Sequence, residues 1–265
     1  MEYTQIQTER RNEVLVLTLY RPERLNAWTP RMSAELSHAI SGANDDPSIG
    51  AIVVTGAGRG FCAGADIGGE FASKLDERDA TPAERPAPEE RPASDWVALC
   101  RRSKPLVAAI NGACVGVGLT MVLPFDHLVA AEGAKLSCRF VKMGLVPELA
   151  SSHFLVARCG FGNASYLALS GATLPAQDAV RLGLVDRVVP AEECLDAAVA
   201  VAREFAENPS PQLRMIKELL TANADETDLV AVQRRELAAL EQAYRTPEHR
   251  EAVTAFLEKR SPRFR

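Results

Sequence analysis

The chain lacks the features that would place it in a membrane, on nucleic acid or in a disulfide-bonded scaffold. Its 265 residues contain no apolar run near the length that a bilayer requires, and the net charge of −5 argues against a nucleic-acid partner. The six cysteines stand singly, without a Cys-x-x-Cys pair, so we expect reduced, mostly buried thiols. No His, Cys, Asp or Glu grouping has metal-ligand spacing, so no metal is expected.

The N-terminal residues also lack a secretory signal. Residues 1–5 are neither basic nor part of an apolar segment, and we therefore expect a cytoplasmic protein. An apolar content of 47% with 25% charged residues is ordinary for a globular chain, and the length allows a sizeable core.

Hydrophobic patterning predicts an α/β architecture. Residues 3–20 have the pattern of a β-hairpin, and a helix follows from Pro30. Short apolar runs near 51–55, 106–110 and 126–130 alternate with helical patterns, which is typical of parallel pairing.

Two changes in composition suggest the domain organisation. From residue 191 onward the pattern is almost entirely helical, and we expect a core over 1–195 and a helical oligomerisation subdomain over 196–265. Residues 70–93 are rich in proline and charge and poor in apolar residues, which predicts a mobile insert. It lies between the two glycine-rich segments described next, so we expect it near the functional site.

Two strand-like runs are each followed by small residues. Ala51–Val54 leads into Gly56–Ile67, and Leu106–Ile110 leads into Asn111–Gly118. Small residues let a ligand approach the main chain, and exposed N–H groups stabilise negative charge. Two such strand ends could hold one oxygen atom between them, which is the construction of an oxyanion hole.

Two other interpretations of these segments are open. The spacing Gly56-x-Gly58-x-Gly60 is also found in dinucleotide loops, but the acidic residue expected after a following strand is replaced by proline-rich sequence. The segments could also be glycine-rich turns without a function.

Several segments together carry a family resemblance: Arg21–Ala27, Gly60–Ile67, Ile110–Gly118, Gly144–Pro147, Ala179–Asp186 and Phe256–Arg260. In these segments the chain resembles the enoyl-CoA hydratase/isomerase (crotonase) superfamily over nearly its whole length. The resemblance implies a crotonase-like spiral of repeated ββα units with C-terminal helices. It also implies a homo-trimer or a homo-hexamer, built as a dimer of trimers. The implied chemistry is that of acyl-CoA thioesters in fatty-acid metabolism, with CoA as part of the substrate and no other cofactor.

The resemblance also implies site residues. The amides of Ala65 and Val117 correspond to the two donors that bind the thioester oxygen. The residues implied to contact the CoA body are Arg24, Leu25, Ala63, Asp66, Ile67 and Lys259.

The acid–base residues of hydratases are missing. Members of the family that add water use two glutamates, and the corresponding positions here are Thr120 and Phe140. Glu148, directly after Pro147, instead resembles the single catalytic acid of certain isomerases in the superfamily. One carboxylate suffices to move a proton between two carbons, so double-bond isomerisation is favoured.

Alternatives to this assignment are kept. Hydration is the second enzymatic interpretation, and a non-catalytic acyl-CoA binder is a third interpretation of a different class. Glu148 could simply interact with the dipole of the helix expected near Ala150. His153 is a weaker candidate, since a packed or surface histidine is the more common situation.

Overall fold

The computed structural model describes residues 1–68 and 96–265, and its core is built on two β-sheets. The mobile insert expected at 70–93 lies outside the described residues. The strands are β1 (Ile6–Arg11), β2 (Val14–Leu19), β3 (Ala51–Gly56), β4 (Gly60–Cys62), β5 (Leu106–Ile110), β6 (Ala113–Val115), β7 (His127–Ala131), β8 (Lys135–Ser137), β9 (Thr173–Pro175) and β10 (Arg187–Val189). The larger sheet has the order β1-β2-β3-β5-β7-β10, and the smaller has the order β4-β6-β8-β9.

Helices fill most of the remaining described chain. They are α1 (Pro30–Asp45), α2 (Trp96–Arg102), α3 (Val117–Thr120), α4 (Ser151–Ser170), α5 (Ala176–Arg181), α6 (Cys194–Ala206), α7 (Ser210–Asn223), α8 (Leu229–Tyr244) and α9 (Pro247–Leu257). Helix α4 is interrupted at Gly160, whose φ of 75° breaks the right-handed helical conformation. The expected hairpin, the helix from Pro30 and the C-terminal helices are therefore confirmed.

The long strands are apolar because they are covered on both faces. Every residue of β3 and of β5 is buried, and both strands pair in parallel within the larger sheet. In a sequence, buried parallel strands of this kind appear as short continuous apolar runs. Helix α6 packs against β3 and β5 with a face that includes Ala198, Val199 and Ala202.

The chain repeats a ββα path between the two sheets. Strand β5 is followed by β6 and α3, and β7 is followed by β8, a 3-10 turn at Arg139–Met143 and α4. Strands β4, β6 and β8 pair in parallel in the smaller sheet, so their carboxyl ends lie at one edge. This arrangement confirms the expected spiral and collects three loops at that edge.

The C-terminal helices are attached to the core partly through a buried charge cluster. Lys217 of α7 is 5% exposed, and its Nζ lies 2.6 Å from Oδ2 of Asp126. The same ammonium donates to the carbonyl oxygen of Cys100 at 3.0 Å, and Arg101 also donates to Asp126. The domain boundary expected after residue 195 falls inside helix α6. This helix packs on the larger sheet.

Candidate active site

The two glycine-rich segments are brought into contact by strand pairing. Strand β4 pairs with β6 in register Gly60↔Ala113 and Cys62↔Cys114. Beyond these strands, a Cβ placed on Gly64 would lie 3.3 Å from the carbonyl oxygen of Val115. Residues 63–66 and 116–118, called here the amide segments, therefore leave the sheet side by side.

The N–H group of Ala65 points away from Trp28, the residue that pairs with it. Trp28 donates its N–H to the carbonyl of Gly64 at 2.8 Å and accepts from the N–H of Asp66 at 3.0 Å. Successive amides of an extended chain alternate in direction, so the N–H of Ala65 faces the opposite side. Within residues 1–68 and 96–265, it donates no hydrogen bond.

The amide of Val117 is the first of α3. Gly116, with a φ of 56°, turns the chain into this helix, and its carbonyl accepts from the amides of Leu119 and Thr120. The first N–H groups of a helix have no intrahelical partner, and that of Val117 has none among the described residues. Two amides beyond neighbouring strand ends thus have no acceptor within the described residues.

Glycine permits the close packing behind these amides. A Cβ on Gly118 would lie 2.4 Å from the carbonyl oxygen of Cys62, which is main chain and cannot swing aside. A Cβ on Gly112 would lie 2.1 Å from the carbonyl oxygen of Arg59. Both glycines are therefore required by the approach of the second segment to the first.

Two asparagines hold the loops that precede the amide segments, and sequence reasoning missed both. Asn26 is fully buried, and its Nδ2 donates to the carbonyls of Ala57 and Gly60 at 2.9 and 2.8 Å. Asn111 donates to the carbonyls of Gly56 and Gly58, both at 2.9 Å. For Asn111, its position directly before Gly112 is a sequence signal that could have indicated this role, whereas Asn26 lies in no glycine-rich turn.

An ion pair links the first motif of the chain to the first amide segment. Nη2 of Arg21 lies 2.8 Å from Oδ2 of Asp66, and each of the two side chains is 17% exposed. Arg21 also donates to the carbonyl of Ala27 at 2.7 Å. Asp66 is expected to contact CoA, and in the structure its side chain also forms this ion pair with Arg21.

The residues implied to contact CoA are brought together only in part. The N–H of Ala63 donates to the carbonyl of Leu25 at 3.0 Å, so these two residues are adjacent, and Asp66 is connected to the same motif through its ion pair with Arg21. Arg24 is exposed beside Leu25, and Ile67 is 54% exposed. Lys259, exposed just after α9, takes part in none of these contacts.

The two positions at which the resemblance implies the glutamates of hydratases hold side chains without a carboxylate. Thr120 is fully buried, and its Oγ1 lies 3.5 Å from the carbonyl oxygen of Val117 in its own helix. Phe140 is partly buried and packs against the core. The pattern found in the sequence therefore corresponds to packed, non-acidic positions in the structure.

Glu148 lies in a segment that leaves the same edge of the smaller sheet. Strand β8 is the neighbour of β6, and the chain continues from it through the 3-10 turn into residues 144–150, called here the acid segment. Glu148 is exposed, and its carbonyl accepts from the N–H of Ser151 at 3.0 Å. Leu149 and Ala150 follow it with φ of 55° and 54°. Two successive non-glycine residues in the left-handed region store strain, which is often found at functional sites.

The surroundings of His153 and of the cysteines indicate structural roles. Nδ1 of His153 lies 3.4 Å from Asp225, and its side chain is 40% exposed. All six cysteines are buried and unbridged, and burial raises the pKa of Cys62 to about 11. Burial also raises the pKa of Cys114 well above its usual value, so neither thiol beside the amide segments is a nucleophile.

The described residues contain neither a candidate membrane-spanning helix nor a cluster of metal-ligating side chains. No helix there is long and apolar enough to cross a bilayer. Nor does any group of three or more His, Cys, Asp or Glu side chains in that part of the chain form a metal-binding cluster.

The fold identifies the class of the protein. The structure superposes on the crystal structure of an enoyl-CoA hydratase from Polaromonas sp. JS666 with a TM-score of 0.86 and 30% identity, covering 98% of this chain and 99% of the other. It therefore has the crotonase fold of acyl-CoA enzymes. A family model described as enoyl-CoA hydratase/isomerase matches residues 9–265, and the chain belongs to that family.

Curated relatives agree on the acyl-CoA chemistry and differ in the reaction. The chain is 37% identical over 260 residues to the 1,2-epoxyphenylacetyl-CoA isomerase of Escherichia coli (strain K12), covering 95% of this chain and 94% of the relative. It is also 37% identical over 259 residues to the enoyl-CoA hydratase ACTT3 of Alternaria alternata, covering 95% and 82%. The chain is thus an acyl-CoA enzyme of the enoyl-CoA hydratase/isomerase type.

Proposed function

We propose that this enzyme moves the double bond of an enoyl-CoA, such as from the 3- to the 2-position, through an enolate. The observation that carries the proposal is the distribution of acids. Thr120 and Phe140 occupy the two hydratase positions, and Glu148 is the acid on the loop that follows β8. A single carboxylate can remove a proton at one carbon and return it at another.

The remaining roles follow from the amide segments. The N–H groups of Ala65 and Val117 would bind the thioester oxygen and stabilise its negative charge in the enolate. Preorganised donors of this kind are worth on the order of 10²–10³ each in rate. The CoA body would lie on the surface formed by Arg24, Leu25, Ala63, Asp66 and Ile67, with Lys259 binding a phosphate. No cofactor beyond the CoA of the substrate is invoked.

The assembly we propose is a trimer or a dimer of trimers. In the single chain, apolar residues of the last two helices are strongly exposed, among them Leu229 at 75%, Leu237 at 53% and Phe256 at 82%. Exposed apolar residues of this kind support burial against other copies. Sedimentation-equilibrium measurements test this, and a monomeric mass would contradict it.

Isomerisation and hydration are separated by a substrate panel. Purified protein is incubated with 3-enoyl-CoA and 2-enoyl-CoA thioesters of matched chain length, and products are followed by mass and by ultraviolet absorbance. We expect conversion of the 3-enoyl to the 2-enoyl thioester, and slow or undetectable addition of water to crotonyl-CoA. Rapid hydration without isomerisation would overturn the proposal in favour of a hydratase. Binding of both thioesters without turnover would favour an acyl-CoA-binding protein.

A further inference from the structure

A tryptophan pairs directly with the first amide segment through its main chain. Trp28 and Ala65 form a parallel bridge, in which Trp28 hydrogen-bonds the residues on both sides of Ala65. Side chains of paired residues project to the same face. The Cβ of Trp28 therefore projects to the same face as the methyl group of Ala65, the residue whose amide is assigned above to the thioester oxygen.

The surroundings of Trp28 are apolar and aromatic. Its ring meets that of Trp96 edge-on, with centroids 6.0 Å apart and an interplanar angle of 79°. Trp96 in turn packs against Phe125 at 6.3 Å, and both of these rings are 2% exposed. The row of rings leads from the amide segment into the core.

Other residues around the first amide segment are charged or open to solvent. Arg24 is exposed there, Ile67 is 54% exposed and Arg21 pairs with Asp66. A CoA moiety is large and charged and must extend to such a surface. The acyl arm of the thioester then points towards the aromatic row, because binding sites bury the apolar part of a ligand.

Trp28 and Trp96 differ in burial and in the hydrogen bonding of their indole N–H groups. The indole N–H of Trp96 donates to the carbonyl of Met121 at 2.8 Å, and this ring is part of the core. The indole N–H of Trp28 donates to nothing within the described residues, and the ring is only partly buried. Trp28 therefore retains surface for a ligand, while Trp96 supports it from behind.

We propose that Trp28 determines acyl specificity and favours a planar, aryl-bearing acyl group. The inference rests on the proposed function, because it assumes that Ala65 binds the thioester oxygen. A ring placed against Trp28 would extend the row of ring contacts from Trp28 through Trp96 to Phe125. Such contacts are worth about 3–10-fold in affinity beyond the area they bury.

Binding rather than turnover tests the proposal. Dissociation constants of 3-phenylpropanoyl-CoA and nonanoyl-CoA, which have equal numbers of acyl carbons, are measured by calorimetry for the wild type, Trp28→Phe and Trp28→Leu. We expect Trp28→Leu to shift the ratio of the two constants about 3–10-fold towards nonanoyl-CoA. Trp28→Phe retains a ring and should shift the ratio less than about twofold. A general loss of affinity cancels in this ratio, whereas an unchanged ratio in Trp28→Leu would overturn the proposal.

Fluorescence provides a second readout if Trp28→Leu does not fold. The chain has two tryptophans, so Trp28→Phe leaves Trp96 as the sole indole. Titration with 3-phenylpropanoyl-CoA should change the emission of the wild type and leave that of Trp28→Phe nearly constant. Equal changes in both proteins would overturn the proposal.

The failure of the specificity proposal is distinguishable from failure of the proposed function. If both thioesters bind more tightly than CoA alone and the ratio is insensitive to Trp28, the specificity proposal fails and the isomerase proposal stands. If neither thioester binds more tightly than CoA alone, both proposals fail.

Discussion

The amide segments and the acid segment are built in opposite ways. The amide segments adjoin buried strands, and Cys62, Cys114 and Val117 are all 5% exposed or less. The acid segment has no regular structure between residues 145 and 148, and Val146 within it is 82% exposed. The amides that we propose as donors are thus held by packed main chain, while the acid that we propose to transfer the proton is on a loop at the edge. The four predictions below test this contrast, from the largest expected effect to the smallest.

The largest effect is expected from the acid segment. Glu148→Gln should lower kcat for isomerisation by about 10²–10⁴, because a general acid–base group is lost while the shape is kept. Acyl-CoA binding should stay within a few-fold. A matched control is Glu192→Gln, another exposed acid before a helix, which should leave kcat unchanged. Steady-state kinetics and calorimetry measure both effects, and near-normal turnover in Glu148→Gln would remove this residue from the mechanism.

The second prediction breaks the packing of the amide segments. Gly118→Ala places a Cβ against the carbonyl of Cys62 and should displace the amide of Val117. We expect a loss of about 10² in kcat and about 1–3 kcal/mol of stability. Gly42→Ala, in α1 with no atom within 4 Å of the new Cβ, should instead stabilise the protein by about 0.5–1 kcal/mol. Denaturant unfolding and kinetics of the two variants separate these outcomes, and equal behaviour would contradict the packing argument.

The third prediction concerns the buried amide behind the first segment. Asn26→Ala leaves the carbonyls of Ala57 and Gly60 without their donor and should cost about 1–3 kcal/mol of unfolding free energy. Asn208→Ala removes an exposed amide that also donates to carbonyls, and it should change stability by less than about 0.5 kcal/mol. Urea denaturation provides both values. A cost for Asn26→Ala as small as that of the control would show that the loop holds without it.

The smallest effect is expected from relieving strain beside the acid. Ala150→Gly should raise the free energy of unfolding by up to about 1 kcal/mol, because glycine adopts its left-handed conformation without penalty. It should also lower kcat, since Glu148 is held less firmly. Ala157→Gly, in the right-handed part of α4, should cost about 1 kcal/mol. Thermal and chemical unfolding distinguish the opposite signs, and a loss of stability in both variants would contradict the strain argument.

The sequence predicts those features that depend on local pattern. The apolar runs at β3 and β5 indicated buried parallel strands, and Pro30 marked the start of α1. The glycine-rich segments could be found in the same way, because close main-chain approach leaves small residues in the sequence. The family and its fold, expected from a set of spaced motifs, are confirmed.

Long-range polar contacts could not be predicted in this way. Asn26 reaches carbonyls more than thirty positions away, and Arg21 pairs with Asp66 across 45 positions. Neither contact leaves a periodic pattern, because each depends on which strands become neighbours in the folded chain. The same limitation applies to the position of Trp28 beside Ala65.

The main-chain nature of the proposed amide donors has a consequence for how the protein can diverge. Every residue except proline supplies an N–H group, so positions 65 and 117 can change side chain while the donors persist. Divergence in this chain can therefore proceed by exchanging acids around a constant pair of donors. Alanine scanning would pass over both positions, and replacing the amide by an ester bond is the substitution that would reveal them.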